Sequence, residues 1–98
     1  MYVLNCEDNE VLSAIDQCVK KEFADVNQAR NVAVFLALTL LSRPLCGIDA
    51  HYSMSPQEIE ECRRMVTKAN SKDRWMSARV KECRMAMWKM IRKRMREQ

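Results

Sequence analysis

The segment that most constrains the fold is a run of ten residues, VAVFLALTLL at 32–41, in which threonine is the only polar side chain. This run is far shorter than the roughly 20 apolar residues that cross a bilayer. As a helix it would be apolar on every side, and such a helix has to be surrounded by protein. The run therefore predicts a central buried helix at about 25–42, ending before Pro44 because a proline disfavours helical backbone at the residue preceding it.

The rest of the chain is also typical of a helical domain. Its 98 residues include one Gly and two Pro, so the turn residues that hairpins need are scarce. Strong helix formers are abundant instead. We predict one all-α domain over 1–98, compact and of four to five helices, with a long basic C-terminal helix. The helices are expected at about 6–23, 25–42, 44–52, 55–69 and 72–96.

Local patterns place the caps and the buried faces of these helices. Asn5 or Asp8 can cap the first helix, and the sequence Ser55-Pro56-Gln57-Glu58 predicts a capping box for the fourth. The residues expected to face the core follow helical spacing: Leu12, Ile15, Val19, Phe23, Leu45, Ile48, Tyr52, Ile59, Cys62, Val66 and Ala69. The last helix has a short heptad seam, widened by Trp75, Trp88 and Ile91: Met76, Val80, Cys83, Met87 and Met90.

Cysteine and histidine usage argues against a metal site or an enzyme. The five cysteines form no C-x-x-C pair, so we expect no zinc, no other cofactor, and reduced thiols acting as small buried hydrophobes. His51 has no Ser/Asp partner pattern around it and is expected to be partly buried. The N-terminus lacks the pattern of a signal peptide, which favours a cytoplasmic protein. The sequence has no Gly-rich phosphate loop and no paired carboxylate motif, so we expect no enzyme activity.

Charge is distributed unevenly along the chain. Residues 1–71 carry 7 basic and 10 acidic side chains, whereas residues 72–98 carry 10 basic and 3 acidic ones. The densest run is Arg92-Lys93-Arg94-Met95-Arg96, preceded by Lys81, Arg84 and Lys89. The helix dipole favours cations at a C-terminus, but this run exceeds what the dipole requires. It predicts a functional patch for nucleic acid, an acidic protein surface or an anionic membrane surface.

A family resemblance favours the first of these partners. The segment 29–40, ARNVAVFLALTL, resembles the central helix of the DNA-binding domain IV of the bacterial replication initiator DnaA, which has the form A-R-x-[IV]-A-x-[YF]-L-x-x-x-L. Ile48 and Tyr52 keep the four-residue spacing between an Ile and a Phe in the family's next helix. The segment 61–65, ECRRM, lies at nearly the distance along the chain where the family has its A-x-R-K-I motif. The resemblance implies a helix-turn-helix in which the helix at 55–69 enters the major groove of duplex DNA.

The sequence departs from that family where DNA would be contacted. SMSPQE at 53–58 replaces the family's signature, Gly-Gly-Arg-Asp-His-[Ser/Thr]-Thr. The exposed stripe of the fourth helix is expected to contain Glu60 and Glu61 beside Gln57, Arg64 and Lys68. Carboxylates repel phosphates, so we expect DNA binding with weak base specificity. Ser55 could instead serve only as a cap, and Glu60 could pair with Arg64 on a solvated face.

Two functions from different classes remain open. The first is a DNA-binding regulator of transcription or replication, with these contact residues: Ser55, Gln57, Arg63, Arg64, Lys68, Lys72, Arg74, Arg92, Lys93, Arg94 and Arg96. The second is a protein-interaction module, or a homodimer, whose last helix binds a partner through Trp88, Met90, Ile91 and Met95. That helix would be about 37 Å long, so the part beyond Met87 is expected to overhang the core.

Overall fold

The computed structural model describes residues 7–41 and 45–96, with side chains in the last helix described as far as residue 92. Within these residues the chain folds into five helices and no strand, which confirms the all-α prediction. The helices are α1 (Asp8–Glu22), α2 (Val26–Thr39), α3 (Ile48–Tyr52), α4 (Pro56–Lys72) and α5 (Arg74–Arg96).

Helix α2 is the centre of the domain, as the apolar run predicts. Asp25 caps it by accepting hydrogen bonds from the backbone N–H groups of Asn27 and Gln28. Residues 32–37 are all buried, and α1, α3 and α4 all pack against this helix. The helix ends at Thr39, earlier than the predicted 42, and Leu38 is only half-buried.

Helix α1 buries the stripe predicted from its spacing, namely Leu12, Ile15, Val19 and the following Phe23. Its cap was predicted wrongly. Glu7 occupies the N-cap without a side-chain hydrogen bond, and Asp8 is the first helical residue. Asn5, the other candidate, lies outside the described residues.

Helix α3 is shorter than the predicted 44–52 because Gly47 adopts a left-handed conformation with φ +80°, which sets the first helical residue at Ile48. Leu45 precedes this turn and is buried, and its N–H donates to the carbonyl of Ala37. Ile48 is buried and Tyr52 is half-buried, so the three residues predicted to face inward do so.

Helix α4 is longer than predicted, because Asn70 and Ser71 do not interrupt it. The break falls on Asp73 alone, which has extended backbone (φ −118°, ψ 109°). Its carboxylate Oδ1 accepts from the N–H groups of Trp75 and Met76, so this single residue ends α4 and starts α5. In α4, Cys62 and Val66 are buried, while Ile59 and Ala69 are half-buried against the core.

Helix α5 packs on α1 and α4 through the predicted seam as far as Met87. The next buried position is Ile91, which is 2% exposed, rather than Met90, which is 36% exposed. The four-residue step from Met87 to Ile91 follows the helix repeat and keeps Ile91 on the core side. The predicted overhang beyond Met87 is therefore wrong as far as Ile91, and deleting Met90–Gln98 would remove a core side chain.

The cysteines are only partly as expected. Among the described residues Cys62 and Cys83 are buried, Cys18 is half-buried, and these three are free thiols. Cys6 lies outside the described residues. Burial is the main reason that the pKa of Cys83 is raised, to about 12, which keeps this thiol protonated and unreactive. Cys46 contradicts the prediction, because it lies exposed in the turn before α3.

Candidate nucleic-acid interface

The start of α4 is held by a complete capping box. The Ser55 Oγ accepts from the N–H of Glu58 at 3.2 Å, and Glu58 Oε1 accepts from the N–H of Ser55 at 3.1 Å. A three-residue turn joins α3 to α4, and its first residue, Ser53, is left-handed with φ 53°. Ser55 is thus engaged as a cap, and Gln57 is the exposed polar side chain next to it.

The two arginines in the middle of α4 are already paired. Arg63 donates to both carboxylate oxygens of Glu60, and Arg64 Nε lies 3.6 Å from Glu60 Oε1. The hydrogen bond from Arg63 lowers the pKa of the Glu60 carboxyl, so the acid is ionised at neutral pH. The Glu60 carboxylate therefore offsets part of the positive charge of Arg63 and Arg64, and the neighbouring Glu61 adds an exposed negative charge. The middle of α4 presents little net positive charge to a polyanion.

The corner where α4 meets α5 is different in character. Lys68, Lys72 and Arg74 are exposed, and none of the three forms a salt bridge within the part of the chain that the structure describes. Lys68 and Lys72 are one helical turn apart, and Arg74 follows Lys72 across Asp73. The negative end of the α4 dipole favours Lys72, but the positive end of α5 disfavours Arg74. Helix stability alone therefore does not account for Arg74.

Cations also line the solvent side of α5. We define the outer face of α5 as Arg74, Lys81, Lys89 and Arg92, all of which are exposed. At 100° per residue, Arg74 and Arg92 are five full turns apart and share one line, about 27 Å long. Lys81 lies about 20° from that line and Lys89 about 60° from it. Among the described residues, none of these four cations forms a salt bridge.

The sequence predicts only part of the outer face. Lys81 and Lys89 are basic, but the contact residues predicted in this helix are Arg74 and the cations of the denser run at 92–96. The same helical spacing that predicts the apolar seam of α5 places Lys81 and Lys89 on the opposite side of the helix. This spacing is the sequence signal that could identify both lysines. Arg84, noted with them, instead turns inward: its Nη2 donates to Thr39 Oγ1 at 3.3 Å and its guanidinium lies over Phe35.

The predicted partner-binding residues separate into different environments. Ile91 is buried in the core, so it cannot form part of an exposed partner surface on this domain. Trp88 is half-buried against the core, and Met90 is partly exposed. The side chains of Met95, Lys93, Arg94 and Arg96 lie outside the described residues, so those four predictions remain predictions.

His51 belongs to a polar cluster between α1 and α3. Its Nε2 lies 2.7 Å from Asp16 Oδ2, and the Tyr52 hydroxyl donates to Asp16 Oδ1 at 2.6 Å. The sequence suggested no acidic partner for His51, because Asp16 is 35 residues away and only the fold brings them together. Asp16 and Tyr52 also line a mainly apolar groove of about 380 Å³. The cluster ties the short α3 to α1.

This cluster gives a pH prediction. Burial, with the hydrogen bond to Asp16 and its negative charge, raises the pKa of Tyr52 above the ordinary 10.0. In a Tyr2→Phe variant, which leaves one tyrosine, phenolate absorbance should rise only well above pH 10, and Asp16→Asn should shift the rise to lower pH. Because the unfolded chain ionises first, the free energy of unfolding should fall as pH increases above about 10. If phenolate absorbance instead rises near the ordinary tyrosine pKa of about 10, the burial of Tyr52 and its hydrogen bond to Asp16 are contradicted.

The described residues contain neither a membrane-crossing helix nor a cluster of metal ligands. No helix there combines the length and apolar character needed to cross a membrane. Within residues 7–41 and 45–96, no group of three or more His, Cys, Asp or Glu side chains could hold a metal ion.

No family model, curated protein or solved structure matches the chain. The basis for a function is therefore the geometry and charge of the domain itself.

Proposed function

We propose that this protein binds DNA without catalysing a reaction, and that the outer face of α5 lies along the phosphate backbone. The observation that carries the proposal is the set of exposed, unpaired cations in that face. Its length of about 27 Å corresponds to roughly eight base-pair steps along the axis of B-DNA, at 3.4 Å each. Lys68 and Lys72 extend the same positive charge onto the end of α4.

The proposed contacts are to backbone rather than to bases. Lysine and arginine contacts to phosphate fix the position of a protein on DNA but carry no sequence information. Of the residues expected at the start of α4, Gln57 is exposed and could touch DNA, while Ser55 is occupied by its cap. Weak base preference follows, consistent with a small regulator that binds many DNA sequences in transcription or replication.

The proposal is tested by a fluorescence-anisotropy titration of the protein with labelled duplex DNA at several salt concentrations. Four phosphate contacts predict a slope of log K against log salt of about −3.6, or steeper if Lys68 and Lys72 also bind. Affinity should then fall roughly a hundredfold between 50 and 200 mM salt. Binding that is insensitive to salt, or no binding at 50 mM salt, would reject the proposal.

A second candidate function is binding to an acidic protein surface, or pairing of two copies, through the same helix. The observation that favours it is the exposure of Met85, at 45%, between Lys81 and Lys89 on the solvent side of α5. A polyanion needs no apolar contact there, whereas a protein partner would bury this side chain. Sedimentation of the protein alone and after Met85→Ala tests the pairing of two copies, since self-association through this surface would be weakened by that change while DNA binding would not.

A further inference from the structure

Trp75 has an unusual position for a tryptophan. It is 66% exposed, whereas Trp88 on the same helix is half-buried against the core. The sequence predicted that both would widen the seam of α5, and for Trp75 this is wrong. A large aromatic side chain left in water is a common feature of binding sites, because its apolar surface gains most from being covered.

The Trp75 ring is held in place from one side. The guanidinium of Arg79 lies 4.4 Å from the ring centroid, one helical turn further along α5. Arg79 is itself fixed, because its Nη1 donates to Glu22 Oε2 on α1 at 2.8 Å. One ring face is thus covered by an anchored cation while the exposed fraction leaves the other face to solvent. This arrangement presents a flat aromatic surface with its orientation already set.

Three further cations are close to Trp75 in the chain. Arg74 is the neighbouring residue and Lys72 lies three positions earlier, with Lys68 one turn further back on α4. All three are exposed and unpaired among the residues that the structure places. The nearest acid, Asp73, is engaged in capping α5. We call Lys68, Lys72, Arg74 and Trp75 the Trp75 corner.

From this geometry we infer that the Trp75 corner binds an unpaired nucleotide, with the base stacked on the open face of Trp75 and the adjoining phosphates contacted by Lys72 and Arg74. The inference rests on the proposed function and deepens it. An aromatic platform flanked by cations is how proteins bind single-stranded nucleic acid without sequence preference, because every base has a π face. A base inside a duplex is covered on both faces and cannot stack on Trp75, so the corner selects single-stranded segments.

The test compares three ligands of equal length: a single-stranded 12-mer, the same strand with every base removed, and the 12-bp duplex. Trp75→Ala should weaken binding of the intact single strand by about 5- to 150-fold, the range for one lost stacking contact. Binding of the abasic strand and the duplex should change little, because they engage phosphate contacts. Met65→Ala is the matched control, because Met65 is also an exposed apolar side chain but belongs neither to the outer face of α5 nor to the Trp75 corner, and this variant should bind all three ligands normally.

A second readout follows the ring directly. In a Trp88→Phe background the only tryptophan is Trp75, and its fluorescence should be quenched by the single strand but not by the abasic strand. If Trp75→Ala leaves single-strand binding unchanged, or weakens all three ligands equally, the inference is overturned while DNA binding through α5 stands. If the unmodified protein binds none of the three at 50 mM salt, the proposed function and this inference fail together.

Discussion

Leu36→Ala is expected to lower the free energy of unfolding by about 3–5 kcal/mol, among the largest losses for any single substitution in this domain. Leu36 is fully buried in α2, which is packed by α1, α3 and α4. The change deletes apolar contacts on several sides and leaves a cavity that fixed neighbouring helices cannot fill. Urea denaturation followed by circular dichroism measures the loss.

Leu38→Ala is the matched control for this prediction. It removes the same atoms from the same helix two residues later, but Leu38 is only half-buried. Its cost should therefore be clearly smaller than that of Leu36→Ala. Equal costs at the two positions, or a loss below about 0.5 kcal/mol at Leu36, would contradict the central placement of α2.

Features determined by local sequence could be predicted. The apolar run at 32–41 indicated the central helix because no partly solvated helix tolerates apolar residues on every side. The capping box at Ser55 and Glu58 was predictable because both hydrogen bonds form within three residues. Asp73 was missed as the break between α4 and α5, because Asn70 and Ser71 look like stronger helix breakers from composition alone.

The parts of the candidate site that escaped prediction depend on tertiary contacts. Two tryptophans on one helix look equivalent in sequence, and only the packing of α5 on α1 and α4 distinguishes Trp75 from Trp88. The anchoring of Arg79 by Glu22 joins residues 57 positions apart. The pairing of Arg63 and Arg64 with one carboxylate also depends on side-chain conformation, which spacing permits but does not specify.

The central claim is that the outer face of α5, rather than α4 or net charge in general, binds DNA. The second large expected effect follows from it. Replacing Arg74, Lys81, Lys89 and Arg92 with Gln lowers the net charge from +4 to zero. This variant should lose on the order of 10⁴-fold in affinity for duplex DNA at 50 mM salt, because a slope change of about 3.6 accumulated between about 1 M and 50 mM salt amounts to that factor. All four side chains are exposed, so the helix content should be unchanged.

The control variant replaces Lys20, Lys21, Arg63 and Arg64 with Gln and also brings the net charge of +4 to zero. It removes the paired arginines of α4 and two lysines of α1, but leaves the outer face intact. The deciding measurement is the salt slope of duplex binding for the two variants side by side. We expect the outer-face variant to flatten the slope by about 3.6 and the control to keep nearly all of it. If the control loses as much slope as the outer-face variant, or more, the assignment of DNA binding to α5 is wrong.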